Sequence, residues 1–394
     1  MTGSDSPSAR PGPQWMPLSY SQQRLWLFSR LSPESTAYNL GGILWLEGEL
    51  DEGILQSAMN LIVSRHDVLR SRFCEVDGRA WQTIDPWEER ELAVDDVSGD
   101  EDPVAATYAL AAKQNASPFD LNAGGLLRYR LARLGKRNDA QSYALLISLH
   151  HIAGDAWSLG VFMQEFFSAY RAFRDGSAAA LAPLKKQYLD VAQEQHQWLD
   201  SEAAQEQLRY WQATLQNEGE PLALPRLQQT TDVSWSACCR DFSLSAEQNG
   251  ALKRFAREQG VSRFTVLLAV LQYLLARVTG QDIIRVGVPS ANRSGATTPL
   301  MGFFVNNLVV QGVPRGDYTV CDWIAHVHES LEGAKHHKDL PFEKVVDALC
   351  HSRTRGHHPL FQVAFNYRRQ GAGMSLDLGI LMARVEDLPV METP

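Results

Sequence analysis

No run of apolar residues in this 394-residue chain is long enough to cross a membrane as a helix. The longest, Phe264 to Ala276, is about half of the ~20 residues a spanning helix needs, and Gln272 interrupts it. It reads as a buried core helix. Cysteine is scarce: Cys74, Cys238, Cys239, Cys321 and Cys350 are odd in number and include no C-x-x-C pair. That argues against a disulfide framework and against a thiolate zinc site, and a reducing cytoplasm suits it best. A basic excess is also missing. The net charge of −9 leaves no footprint for nucleic acid and disfavours an anionic membrane, so neither partner is expected. The opening MTGSDSPSARPGPQW lacks the charged start and apolar run of a secretory signal and reads as a flexible lead-in over residues 1–16. Finally, there is no G-x-S-x-G elbow, Walker A loop, G-x-G-x-x-G fingerprint or H-E-x-x-H helix. His326 and His328 lie two apart on an expected helix and share no face, so no metal site is expected.

What is present is ordinary globular composition, 44% apolar and 21% charged, in a chain longer than one core usually supports. Two domains follow as the expectation. The segment 19–30 reads as a short helix with Ser19 or Ser21 near its start. From Asp51 to Arg65, the residues Ile54, Leu55, Ala58, Leu61 and Ile62 recur at helical spacing. Leu127, Tyr129 and Leu131 alternate with Arg128 and Arg130, the pattern of a half-buried strand. The Ala-, Ser-, Gly- and Pro-rich stretch 174–186 marks a junction. Beyond it, helices are expected around 187–214, 245–259, 262–278 and 319–334. Strands are expected at 283–288, within 303–311 and at 360–367. Both halves mix helix and strand, giving two α/β lobes, 17–178 and 179–394.

One stretch carries the chemistry. Tyr143 to Leu149 is almost continuously apolar, as a strand covered on both faces would be. After it, Leu159, Phe162, Met163, Phe166, Phe167 and Tyr170 recur at helical spacing, with Ser158 expected as the N-cap. The loop between them, HHIAGDAW, sits where a rigid scaffold positions side chains beside helix N–H groups. Adjacent histidines alone are weak evidence, since this chain has three such pairs, at 150–151, 336–337 and 357–358. The first pair differs in its context: a strand end, the carboxylate of Asp155 and a helix start. Successive side chains at a strand end point to opposite sides, so His151 is expected to face a cavity while His150 packs in the core. The residues by themselves point to an acid–base enzyme using His151.

HHIAGDAWS resembles the HHxxxDG signature shared by chloramphenicol acetyltransferase and the condensation domains of nonribosomal peptide synthetases. Five further stretches resemble condensation-domain motifs in the family's order. They are SYSQQRLW (19–26, with Ser21 in place of Ala), RHDVLRSRF (65–73), MGFFVNNL (301–308), HKDLPFEKVV (337–346, with Lys338 in place of Gln) and HPLFQV (358–363). The pieces TGQDIIRVGVPSANR (279–293) and LRYW (208–211) match as well, so the resemblance covers about residues 17–367.

The resemblance implies two chloramphenicol-acetyltransferase-like lobes in a V-shaped pseudo-dimer around a central tunnel. It implies amide bond formation between a donor acyl thioester on an upstream carrier protein and the amine of an aminoacyl thioester on a downstream carrier. Both would be held on phosphopantetheine arms, with no cofactor bound by the domain itself and an adenylation domain as a further partner. His151, with His150 and Asp155, would form the catalytic motif, and Asp155 would pair with Arg293 beneath the loop. Trp157, Ser158 and Asn306 are the expected tunnel-lining residues. Three departures stand out. Ala156 replaces the Gly of the signature, where a methyl group would crowd the channel if the Gly meets a backbone need. Gln311 replaces an expected Arg. The chain also ends soon after the last motif, which reads as a truncated C-terminal end. Its start at Met1 fits a starter domain taking a fatty acyl donor. The rivals are a free-standing acyltransferase using acyl coenzyme A and a soluble amine or alcohol, a sister epimerisation or heterocyclisation domain, and a catalytically silent docking domain.

Overall fold

The computed structural model describes residues 15–137, 139–216, 220–224, 240–350, 360–367, 375–377 and 381–388. Cys238, Cys239, the third histidine pair and the start of HPLFQV lie outside the described residues. The first part of the chain runs β1 (Met16–Pro17), α1 (Tyr20–Leu31), β2 (Asn39–Gly48), α2 (Glu52–Arg65), β3 (Ser71–Val76), β4 (Arg79–Ile84), β5 (Ala93–Asp96), α3 (Pro103–Asn115), β6 (Leu127–Arg137), β7 (Ala140–His150) and α4 (Ala156–Arg174). The second runs α5 (Tyr188–Trp198), α6 (Glu202–Leu215), α7 (Ala246–Glu258), α8 (Arg263–Thr279), β8 (Ile284–Ser290), β9 (Asn306–Gly312), α9 (Val320–His336), α10 (Phe342–Leu349), β10 (Val363–Ala364), β11 (Ser375–Asp377) and β12 (Leu381–Asp387). No single helix among the described residues is long and apolar enough to cross a membrane.

The larger sheet has the order β11-β12-β2-β7-β6-β5. The middle of β2 and of β7 is apolar because both faces are covered there, and the two-residue period deals their side chains to separate cores. Leu44, Leu46, Leu145, Ile147 and Leu149 pack in the core shared with α2 and α4. Ile43, Trp45, Ala144 and Leu146 pack in another with Val97 and Ala111. On α4, Phe162, Phe166, Phe167 and Tyr170 are buried. Burying each contributes ~1.5–3 kcal/mol, so packing rather than capping holds this helix in place. The cap decides only where it begins. Asp155, not Ser158, is the N-cap, accepting from the Ser158 N–H at 2.8 Å.

The smaller sheet, β10-β8-β9, pairs β10 parallel and β9 antiparallel to β8. Helices α8 and α9 contribute to its core, and Gln311, at the position where Arg was expected, accepts from Arg285 Nε at 2.9 Å. Two segments cross between the halves. Leu381–Asp387, assigned by sequence to the second lobe, pairs antiparallel with β2 from Gly48 to Gly42 in the first sheet. The run Leu300–Phe304 lies between the two longer strands of the small sheet, yet Leu300, Met301, Phe303 and Phe304 pack in the first core with Tyr188. The Tyr188 hydroxyl donates to the Phe303 carbonyl at 2.5 Å and lies 2.9 Å from Ser19 Oγ. This leaves no room for a side chain at Gly302. Its φ is +154°, and a Cβ there would sit 2.0 Å from Tyr188 Cδ2.

Gly302→Ala is therefore expected to cost ~1–3 kcal/mol from overpacking, with backbone strain added to that. Gly160→Ala on the exposed face of α4, where a Cβ meets nothing within 4 Å, should be neutral or slightly stabilising. Urea unfolding of both variants checks this; equal midpoints would show that the crossing segment has slack.

Candidate active site

Strand β7 ends at His150, which carries on the strand's alternation and faces the α3 side of the sheet. Its side chain is 5% exposed. The ring meets Phe119 edge-on at 5.7 Å, and Nδ1 accepts from the Ile152 N–H at 3.1 Å. Burial, with the nearby His151 and Arg128 adding to it, pushes the His150 pKa down to about 3. His150 is thus a neutral packing group.

His151 is the first residue beyond the strand and begins a short 3₁₀ turn, His151–Ala153. Its N–H donates to the Tyr38 carbonyl at 2.8 Å, and its ring stands edge-on to Phe303 at 4.8 Å and to Tyr38 at 6.3 Å. Nδ1 lies 2.8 Å from the Gly154 carbonyl oxygen. A carbonyl can only accept, so Nδ1 carries the proton and the neutral ring keeps the lone pair on Nε2. Burial lowers the His151 pKa below its ordinary value, while Asp155 and the Gly154 carbonyl pull it partly back. The result is an unprotonated imidazole with a fixed tautomer and its lone pair on Nε2.

Asp155 is 1% exposed. Oδ1 accepts from the Ser158 N–H at 2.8 Å and hydroxyl at 2.9 Å and from Arg293 Nη2 at 2.9 Å; Oδ2 accepts from the Phe304 N–H at 3.1 Å. Arg293 also donates to the carbonyls of Thr297 at 3.0 Å and Leu300 at 2.6 Å, and its guanidinium lies 4.0 Å over the Phe304 ring. The carboxylate caps α4 and ties the His151 loop to the crossing segment.

Of the three residues expected to line a tunnel, two are buried. Ser158 has no exposed surface and is held among Asp155, Arg293 and Gly302. Asn306 is 4% exposed; its amide donates to the Lys338 and Leu340 carbonyls and accepts from the Phe342 N–H. Both are buried polar groups whose bonds are all internal. Trp157 is exposed, and its indole N–H donates to the Thr298 carbonyl at 3.0 Å. Ala156 is also exposed and is the first residue of α4, so its methyl meets no backbone demand for glycine.

Residues that sequence reasoning did not single out complete the surroundings. Arg24 on α1 reaches Glu343 on α10 at 3.3 Å and lies 6.0 Å from the Phe303 ring. Lys344 stands 4.6 Å over Tyr20. Arg24, Glu343 and Phe303 sit inside recognised motifs, where a charge or ring in the pattern was the available signal. Tyr38 lies outside them. Among the described residues no group of three or more His, Cys, Asp or Glu side chains converges as metal ligands would.

A neutral imidazole at the end of a buried strand is braced by a buried ion pair that reaches the other half of the chain, an arrangement suited to accepting a proton. The family model for the condensation domain matches residues 13–378. A linear gramicidin synthase protein of Brevibacillus parabrevis is 39% identical over 375 residues, 94% of this chain but only 7% of that much longer protein. The X-domain in its complex with OxyB from teicoplanin biosynthesis superposes with TM-score 0.83 at 26% identity, covering 100% of this chain and 85% of that one. The first condensation domain of the calcium-dependent antibiotic synthetase, in complex with a substrate analogue, shares the fold with TM-score 0.76 at 24% identity, covering 96% and 86% of the two chains. The chain belongs to the condensation-domain family.

Asp155→Ala should lower stability by ~3–5 kcal/mol, because it leaves the Arg293 charge buried and unpaired. Thermal melting checks this. A wild-type melting temperature with complete loss of activity would instead assign Asp155 a direct part in the chemistry. A second expectation concerns His150, whose folded pKa lies below its unfolded value. Its contribution is complete above pH ~6.5 and is lost as pH falls toward about 3. His150→Gln should flatten the decline in stability across that window, and an unchanged slope would contradict a neutral buried ring.

Proposed function

We propose that this domain joins a donor acyl or peptidyl group, held as a thioester on an upstream carrier protein, to the α-amine of an aminoacyl thioester on a downstream carrier. His151 Nε2 is the base. The amine nitrogen attacks the thioester carbonyl carbon, the carbon–sulfur bond breaks, and the sulfur departs as the upstream phosphopantetheine thiol. The amine's proton passes to Nε2 and on to that thiol, so the imidazole is restored. The observation that carries this reading is the Nδ1 bond to the Gly154 carbonyl at 2.8 Å, which leaves Nε2 as the lone-pair nitrogen. A thioester is already activated, so a base that frees the amine supplies what the reaction lacks. Carriers, an adenylation domain and a cytoplasmic setting belong to the same proposal.

The test supplies the donor as carrier thioester and as coenzyme A thioester, and the acceptor as carrier-bound aminoacyl and as free amino acid. Tethering both reactants raises their effective concentration and fixes their orientation, so the doubly carrier-bound pair should react fastest by a clear margin. His151→Ala should lower that rate roughly 10²- to 10⁴-fold while the protein stays folded. The wild-type rate should fall as pH drops through a value below ~6.5, where the imidazole takes a proton. Equal rates with coenzyme A thioester and free amine would favour a free-standing acyltransferase. No turnover in any combination would favour a silent docking domain; the X-domain, which shares this fold, occurs in a complex with OxyB.

A further inference from the structure

On the face of the large sheet that carries His150 lies a concavity, which the proposed acyl transfer leaves unused. It measures about 470 Å³, and its lining includes Arg90, Lys113, Leu127, Arg128, Tyr129 and Arg130. Strand pairing explains why it exists. β5 covers β6 only from Arg130 to Arg133, so on that side the edge of Leu127–Tyr129 has no neighbouring strand. The chain leading into β5 is drawn away toward α2. Asn60 grips Arg90 by both backbone groups, at 2.9 Å and 3.0 Å, and the Leu92 N–H donates to Gln56 at 2.9 Å. A gap is left between β6 and the segment that leads into β5, bordered by Lys113 and Gln114 of α3.

The gap is strongly cationic. Arg90, Lys113, Arg128 and Arg130 line it against one acid, Glu91. Arg130 pairs with Asp95 at 3.2 Å, whereas no carboxylate among the described residues pairs with the other three. Arg128 donates only to the Ser117 and Pro118 carbonyls, both at 2.8 Å, and lies 3.8 Å over the Phe119 ring. Burial draws its pKa down with no anion to oppose the shift.

We propose that this gap takes an extended acidic peptide segment of a partner protein, which adds as a strand to the Leu127–Tyr129 edge with its carboxylates against Arg90, Lys113 and Arg128. Backbone pairing along an open edge supplies affinity, and alternate side chains supply selectivity. Charges also serve to blunt sheet edges. Blunting alone, however, requires neither the Asn60 and Gln56 bonds that hold the neighbouring segment away nor the apolar Leu110 and Leu127 in the lining. The proposal is independent of the acyl-transfer reading, since neither His151 nor Asp155 lines the gap.

The probe is a fluorescein-labelled hexapeptide of alternating Glu and Val, titrated with the full chain and followed by fluorescence anisotropy. Saturable binding is expected, weakening at high salt. Binding should weaken at least about tenfold for a peptide N-methylated at alternate residues, tested in both registers, and for Arg90→Glu/Lys113→Glu. Circular dichroism verifies that the double variant is folded; if it is not, Lys113→Glu alone, at an exposed position, carries the test. Absence of saturable binding overturns the proposal. So does indifference to N-methylation together with full competition by inorganic phosphate, which would make the gap a small-anion site.

Discussion

The buried pair of Asp155 and Arg293 is the contact on which the site depends. Their side chains are each 2% exposed and meet at 2.9 Å. Removing two charges from water costs several kcal/mol per ion, and the attraction between them offsets this only when the remaining hydrogen-bonding positions are also filled. Here they nearly are. One carboxylate holds a helix start, a serine hydroxyl, a guanidinium and a backbone N–H of the crossing segment. Arg293 Nε alone is buried without a partner. Because the pair spans from the loop after β7 to the segment before β9, the turn bearing His151 cannot shift independently of the second half of the chain.

That rigidity is what the proposed role of His151 as a base requires. A base is useful when its lone pair points in one direction and its pKa lies near or below the working pH. The Gly154 carbonyl sets the first condition and burial the second. The adjacent His150, its pKa pushed down to about 3 by burial, is turned to the opposite side of the sheet. Strand alternation separates them in space, and the low dielectric keeps the packed one neutral.

The crossing segment and helix α1 complete the enclosure. Gly302 allows Tyr188 to lie flat against the backbone, so the tyrosine hydroxyl can bind the Phe303 carbonyl. Phe303 in turn presents its ring to His151. On the same side, Arg24 and Glu343 join α1 to α10. Motifs far apart in the chain thereby meet around one imidazole, which explains why so many of them are structural in character. Arg65 and His66 both bind Glu165, at 3.1 Å and 2.8 Å, and serve packing rather than chemistry.

Local pattern determined much of this protein. The helical spacings of α2 and α4, the alternation of β6 and the unbroken apolar run of β7 are read directly, because each follows from the geometry of a single element. The place of the histidine pair at a strand end follows as well. The pairing of Asp155 with Arg293 was reached only through family resemblance, since residues 138 positions apart leave no local sign of contact. Only the tertiary structure decided the rest. Ser158 and Asp155 are comparable caps, and the choice fell to Asp155 in a setting where Arg293 and Phe304 also bind its carboxylate. Ser158 and Asn306 have the composition of pocket residues but were enclosed by neighbours from distant segments. The return of Leu381–Asp387 to β2 depends on an open edge several hundred residues upstream. Such pairings are set by which surfaces remain uncovered once the cores have formed, and a linear pattern does not carry that information.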